Sequence, residues 1–221
     1  DEGLLEGEIT ASVFADVEKC FEHLDHQTLI EEAVATGFPL RLLKWLLNVY
    51  RAKRRLTMSG FMGEETCVLK GIVAGCHFST MLLRMYFLRM IDKVLAAHPA
   101  VQVRVVVDDI SLHVVAPPAF ARATLGMACE MLGRGIGELK LPLSKTKTAV
   151  VSSCGYSARL LASQLRRFGV LEKTTVKQLG IDYAGGKFLQ RIVQRGRVTN
   201  MKRRMVRFRQ AKRVTRMSKI M

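Results

Sequence analysis

Two adjacent aspartates, Asp108 and Asp109, stand between two apolar runs, Arg104-Val105-Val106-Val107 and Ile110-Ser111-Leu112-His113-Val114-Val115. Six of these ten flanking residues are β-branched Val or Ile, so both arms read as strands. The aspartate pair between them reads as the tight turn of a hairpin. Aspartate is a good turn residue in its own right. A carboxylate pair on a rigid hairpin also suits a divalent cation, because hard cations want oxygen ligands. A third aspartate, Asp16, lies near the end of another strand pattern, Ile9 to Val17, in which Val13, Ala15 and Val17 alternate with Phe14 and Asp16. If these strands pair, Asp16 and Asp108 converge, and three carboxylates can hold two cations for an in-line phosphoryl displacement. Without a cation their repulsion makes such a cluster costly.

The rest of the chain alternates helix and strand signals. Asp25 caps a helix over His26 to Thr36 that ends at Gly37. Pro39 sits at the first turn of a second helix reaching Ala52, whose stripe of Leu40, Leu43, Leu47 and Tyr50, with Trp45 and Leu46, reads as core. Arg55 to Ser59 and Thr66 to Lys70 form a hairpin around Gly60-Phe61-Met62-Gly63. Ser79 or Thr80 caps a long apolar helix ending near Ala97. After Pro117-Pro118 a helix spans Ala119 to Leu132, and a loop with Gly133, Gly135 and Gly137 leads to Lys145 and a strand at Thr148 to Ser152. A helix over Ala158 to Phe168 and a strand over Val176 to Tyr183 follow. Helices against a mostly antiparallel sheet make an α+β fold.

Charge is concentrated at one end. Of the net +16, 13 charges come from Lys and Arg in 186–221, which holds no Asp or Glu, leaving +3 for everything before it. Such a segment suits a polyanion. It reads either as a solvated tail or as a charged helix with one packing face. Five scattered cysteines without a Cys-x-x-Cys spacing argue against a disulfide scaffold and a zinc site, and favour a reducing compartment, cytosol or nucleus. No apolar run is long enough to span a bilayer, so no membrane partner is expected. The acidic start, Asp1 to Glu8, is not a signal peptide.

Five segments in order resemble the motifs of a reverse transcriptase palm, most like those of non-LTR retrotransposons. They are Ala15-Asp16-Val17-Glu18-Lys19-Cys20-Phe21, Lys70 to Thr80, Val106-Val107-Asp108-Asp109, Gly137 to Thr146 with its Lys145-Thr146 ending, and Lys177-Gln178-Leu179-Gly180-Ile181. Three positions depart from the family pattern: Ala74 replaces a glutamine, Thr80 a proline and Val106 an aromatic.

The resemblance implies a right-hand polymerase palm with an antiparallel sheet and packed helices, plus a partial helical thumb. It implies an RNA-directed DNA polymerase that extends a DNA primer on a retrotransposon RNA template with dNTPs and two Mg²⁺ ions, Mn²⁺ being an alternative. Asp16 and Asp108 would be the main metal ligands, with Asp109 supporting them and the backbone carbonyl of Val17 helping to coordinate. Phe21 would exclude a ribose 2′-hydroxyl. Gly75 and Ser79 would lie against the template and incoming base. Lys145 would approach the triphosphate as charge partner or proton donor. Leu179 and Gly180 would grip the primer, and Lys202, Arg203, Arg204, Arg207, Arg209, Lys212 and Arg213 would follow nucleic-acid phosphates. The family's fingers precede the first motif, where this chain has fifteen residues. The expected division is therefore a palm over 1–185, with the fingers largely missing, and the start of a thumb over 186–221, cut from a longer polyprotein. The competing expectation is an inactive retroelement remnant that binds nucleic acid through its basic segment.

Overall fold

The chain alternates short strands and longer helices in the computed structural model, which describes residues 7–178, 181–185 and 192–217. In order these are β1 (Ile9–Asp16), α1 (Cys20–His23), α2 (His26–Ala35), α3 (Leu40–Arg51), β2 (Arg54–Met58), β3 (Phe61–Thr66), α4 (Ser79–Ala97), β4 (Gln102–Val106), β5 (Asp109–Ala116), α5 (Pro118–Glu138), β6 (Ala149–Ser152), α6 (Gly155–Gln164), β7 (Leu171–Glu172), β8 (Thr175–Gln178), β9 (Ile181–Ala184) and α7 (Ile192–Met217). Among the described residues no helix is long and apolar enough to cross a membrane.

One five-stranded sheet, ordered β4-β5-β1-β6-β7, organises the fold. Its ladders are antiparallel apart from the short β6–β7 pair. Alternation along β1 sends Ala11, Val13 and Ala15 into the main core beside Ile110, Leu112 and Val114 of β5. The helices α2 to α6 contribute to that core, with Leu29, Leu43, Leu82, Leu125 and Leu161 among its buried side chains. The opposite face, carrying Phe14, Ala149 and Val151, is covered by Val176 of β8 and Tyr183 of β9.

Several expected boundaries move. Val106 pairs with Asp109, so the hairpin turn is Val107-Asp108 and not Asp108-Asp109. With this turn Val103 and Val105 of β4 stand opposite Leu112 and Ile110 of β5, against the core. The glycines expected in a loop are helical, because α5 continues to Glu138. Two of them permit close approach: a Cβ on Gly133 would stand 2.6 Å from the Phe168 ring, and one on Gly135 would stand 2.6 Å from Met90 Cγ.

The first hairpin turns at Ser59-Gly60, with Phe61 and Met62 already in β3. In α3, Leu43, Leu46, Leu47 and Tyr50 are buried, but Leu40 and Trp45 are exposed. The helix expected over Ala158 to Phe168 starts earlier, at Gly155, and gives way to a 3-10 turn at Arg166–Phe168. Neither Ser79 nor Thr80 caps α4. Phe78 holds the cap position, and the Ser79 hydroxyl donates to the Cys76 carbonyl instead. The strand expected over Val176 to Tyr183 is the antiparallel pair β8 and β9, with Leu179 and Gly180 between them outside the described residues. Within the basic segment, Ile192–Met217 forms a helix, α7.

Candidate active site

The second face of the central sheet carries a polar row. Residues opposite each other in an antiparallel ladder share a face. β1 and β5 therefore place Ser12 with His113, Phe14 with Ser111, and Asp16 with Asp109 side by side. His113 bridges the first two rungs, with Nδ1 2.8 Å from Ser12 Oγ and Nε2 3.0 Å from Ser111 Oγ. Burial and the nearby Arg104 guanidinium push the pKa of His113 down. Tyr183 lies over this part of the row, its ring 4.9 Å from that of Phe14 and stacked on His113. The last rung, Asp16 and Asp109, opens into a pocket of ≈ 250 Å³.

Asp108 has different surroundings. It is the second residue of a two-residue turn whose first residue, Val107, has φ 61°. Glycine ordinarily takes a positive φ at that place, and a β-branched residue there costs about 1–3 kcal/mol. Asp108 does not line the pocket. Its charge is felt by Cys20 at the start of α1, whose thiol pKa is pushed up to about 12 by burial first, then by Asp108 and Glu22.

A loop is clamped around Asp16. Ser144 N–H donates to the Asp16 carbonyl at 2.8 Å, Glu18 N–H to the Pro142 carbonyl at 2.9 Å, and Asp16 N–H to Thr148 Oγ1 at 3.4 Å. Val17 is buried and forms a bridge with Leu143. This clamp delivers Lys147, whose Nζ lies 3.5 Å from Asp16 Oδ1. The lysine singled out in the sequence, Lys145, is exposed, outside the pocket lining, and has its backbone against Gly169. Lys173 and Lys177 complete the pocket wall, and the Lys173 ammonium donates to the Thr146 carbonyl at 3.0 Å. Sequence reading assigned none of these three lysines to the site, although Lys177 opens the fifth motif. Lys147 had a signal, being two positions beyond Lys145; Lys173 and Lys177 reach the pocket only through chain reversals.

The second sequence motif docks against α1. Ile72 N–H donates to the Phe21 carbonyl at 2.8 Å, and Gly71 N–H to the Leu24 carbonyl at 2.7 Å. Gly71 has φ 88°, and a Cβ there would stand 2.8 Å from the Glu22 carbonyl oxygen, so the approach requires glycine. Phe21 is half-buried beside this segment. Gly75 is an exposed positive-φ turn, whereas Ser79 is buried with its hydroxyl committed to Cys76. The structure thus brings Asp16 and Asp109 together, keeps Asp108 one step away at the turn, and places Phe21, Gly75 and Ser79 around α1 and the start of α4.

On α7, Lys202, Arg203, Arg204 and Arg207 are exposed, and the side chains of Arg209, Lys212 and Arg213 lie outside the described residues. Arg197, Arg204, Met201 and Met205 face Lys177 across a second cavity of ≈ 470 Å³. Lys177 lines both cavities, so positive charge runs from the carboxylate pocket to α7.

Among the described residues no three His, Cys, Asp or Glu side chains are grouped to hold a metal. Two carboxylates in register still fit Mg²⁺, which is commonly bound by one or two carboxylates with substrate phosphates supplying the rest.

Residues 5–185 match the family model for reverse transcriptase (RNA-dependent DNA polymerase). No curated protein sequence matches the chain. A solved structure of apo telomerase from Candida tropicalis, truncated from its C-terminal domain, is similar over 80% of this chain with a TM-score of 0.53 and 11% identity. The chain spans 34% of that structure's length, and the likeness is one of fold.

Proposed function

The chain belongs to the reverse transcriptase (RNA-dependent DNA polymerase) family, and from that premise we propose that it carries the polymerising centre of an RNA-directed DNA polymerase of non-LTR retrotransposon type. Residues 1–185 are read as palm and 186–221 as the start of the thumb, within a longer polyprotein. The substrates are an RNA template, a DNA primer and dNTPs. The observation that carries the reading is the Asp16–Asp109 rung at the open end of the β1–β5 ladder, beside the strained Val107-Asp108 turn.

In this reading Asp16 and Asp109, with Asp108 from the turn and the Val17 carbonyl, hold two Mg²⁺ ions. When bound, the ions activate the primer hydroxyl and stabilise the leaving oxygen of an in-line displacement. The chain's own part is to fix the carboxylates. The β-ladder sets Asp16 against Asp109, the 142–148 loop anchors Asp16 by both its N–H and its carbonyl, and the hairpin turn fixes Asp108. Lys147, Lys173 and Lys177 give the pocket positive charge suited to a triphosphate. Lys145, on the same loop, approaches the phosphates from outside the pocket. Phe21, half-buried next to Gly71-Ile72, is the steric filter against a 2′-hydroxyl, with Gly75 near the base pair. Leu179 and Gly180 are read as the primer grip. The exposed basic residues of α7 track duplex phosphates.

Primer extension on an RNA template with dNTPs and Mg²⁺ tests this. Extension should fall roughly 100-fold or more in Asp16→Asn and Asp108→Ala. Extension that survives both substitutions sinks the site. A second reading, a non-catalytic remnant, is favoured by the acid-free basic surface of α7, which binds polyanions whether or not the pocket works. It prevails if duplex binding is retained while no extension is detected.

A further inference from the structure

The Asp16–Asp109 rung sets two carboxylates directly opposite each other, where like charges destabilise a ladder. Among the described residues Lys147 is ion-paired with Asp16, at 3.5 Å. Its place is built in: the loop that carries it is tied to the strand at Pro142, Ser144 and Thr148, and closed on itself by Thr148 N–H donating to the Ser144 carbonyl at 3.2 Å. Lys173, the next ammonium in the pocket, is occupied by the Thr146 carbonyl and braces the same loop. Lys145 lies outside the pocket.

We propose that Lys147 is the resident counter-ion of the carboxylate pair and competes with a divalent cation for Asp16. The inference rests on the metal-binding reading of Asp16 and Asp109 given above, and adds to it an identified opponent. In the cation-free chain the Lys147 ammonium offsets part of the carboxylate repulsion. A cation arriving alone must displace that ammonium and accept its positive charge a few ångströms away. A triphosphate arriving with the cation gives Lys147 a new anionic partner, so the lysine that opposes the cation alone favours the cation–nucleotide pair. Lys147 is thus a positioning residue that makes the two ligands bind together. The Lys147 side chain is 71% exposed and Asp16 28% exposed, so the effect is modest and screened by salt.

The test is Mn²⁺ binding to the full chain, followed by the loss of free Mn²⁺ signal in electron paramagnetic resonance. It compares wild type with Lys147→Gln, Lys147→Arg, Lys145→Gln, Asp16→Asn and Asp109→Asn, each checked for its fold by circular dichroism. Lys147→Gln should bind Mn²⁺ about two- to fivefold more tightly than wild type at low salt. The gap should close as ionic strength rises. Lys147→Arg should stay near wild type, and Lys145→Gln should move the affinity by less than half as much as Lys147→Gln. Equal or weaker binding by Lys147→Gln, or an equal gain in Lys145→Gln, overturns the proposal while leaving the carboxylates as ligands. Wild-type Mn²⁺ affinity in both Asp16→Asn and Asp109→Asn sinks the metal reading, and this proposal with it.

Discussion

Asp16 and Asp109 are directly opposed across β1 and β5, whereas Asp108, the immediate neighbour of Asp109, belongs to the turn. Adjacent carboxylates therefore have unequal duties. One is a ladder residue whose direction is set by the pleat, and the other is held by a strained turn.

The first prediction concerns the opposed pair. Asp109→Asn removes a cross-strand like charge but also a negative charge from a lysine-lined pocket, so the stability of the cation-free chain should stay within ~1 kcal/mol of wild type. The same variant should lose the increase in melting temperature that Mn²⁺ gives the wild type, because that increase requires binding to the folded state. Thermal unfolding with and without Mn²⁺ reads both effects. A variant that keeps the full Mn²⁺ response refutes the role of Asp109.

Strain at Val107 gives the second. Val105 and Val107 are both half-buried, but only Val107 has a positive φ. Glycine at either position loses packing and gains unfolded-state entropy. At Val107 it also removes the left-handed penalty of about 1–2 kcal/mol. Val107→Gly should therefore cost about 1–2 kcal/mol less than Val105→Gly in urea unfolding. Equal costs would mean that the turn stores no strain.

The third contrasts two glycines of α5. Nothing lies within 4 Å of a Cβ on Gly137, so Gly137→Ala should stabilise the helix by roughly 0.5–1 kcal/mol. A Cβ on Gly133 meets the Phe168 ring at 2.6 Å, so Gly133→Ala should cost about 1–3 kcal/mol through overpacking. Chemical denaturation of the two variants should give shifts of opposite sign.

These glycines also mark where the sequence stops being legible. Gly133, Gly135 and Gly137 read as a loop because local preference penalises glycine in a helix. At Gly133 and Gly135 what overrides it is contact with Phe168 and Met90, which lie far off in the chain. The strands β1, β4, β5 and β6 were legible because alternation and β-branching are local. So were Asp25 as a cap and Gly37 as a stop. The turn falls one residue earlier than the sequence suggests because a valine at positive φ runs against every local preference, and only the β4–β5 pairing reveals it. At the site, the three aspartates were visible as residues, but the choice of Lys147 over Lys145 depends on a loop closed by hydrogen bonds to Asp16.

The fourth prediction is a pH dependence. Asp25 caps α2 by accepting from Thr28 N–H at 2.9 Å and pairs with Lys140 Nζ at 2.9 Å. The Thr28 N–H bond first, then Lys140, lower its pKa from 3.8 to about 2. A lowered carboxylate pKa stabilises the fold above the unfolded value and loses that contribution as pH falls through the folded one. Asp25→Ala should cost about 0.5–2 kcal/mol at neutral pH. The gap from wild type should shrink as the pH drops from about 4 towards 2. A gap that stays constant over that range would show that the cap does not depend on ionisation.

The last prediction separates two faces of α7. Arg197 and Arg204 are seven residues apart, on one side of the helix, and line the cavity shared with Lys177. Arg203 and Arg207, at i and i+4, share another side and are exposed. If α7 follows a duplex backbone, each phosphate contact releases counter-ions and steepens the fall of affinity with salt by about 0.9 in a log–log plot. Arg203→Ala with Arg207→Ala should flatten that slope by about 2 if both reach phosphates, with no loss of primer-extension rate at saturating duplex. Arg197→Ala with Arg204→Ala, nearer the carboxylate pocket, should flatten the slope and also slow extension. Fluorescence anisotropy on an RNA–DNA hybrid across a salt series, paired with single-turnover extension, distinguishes the two faces. A slope unchanged by both double substitutions would remove α7 from the nucleic-acid interface.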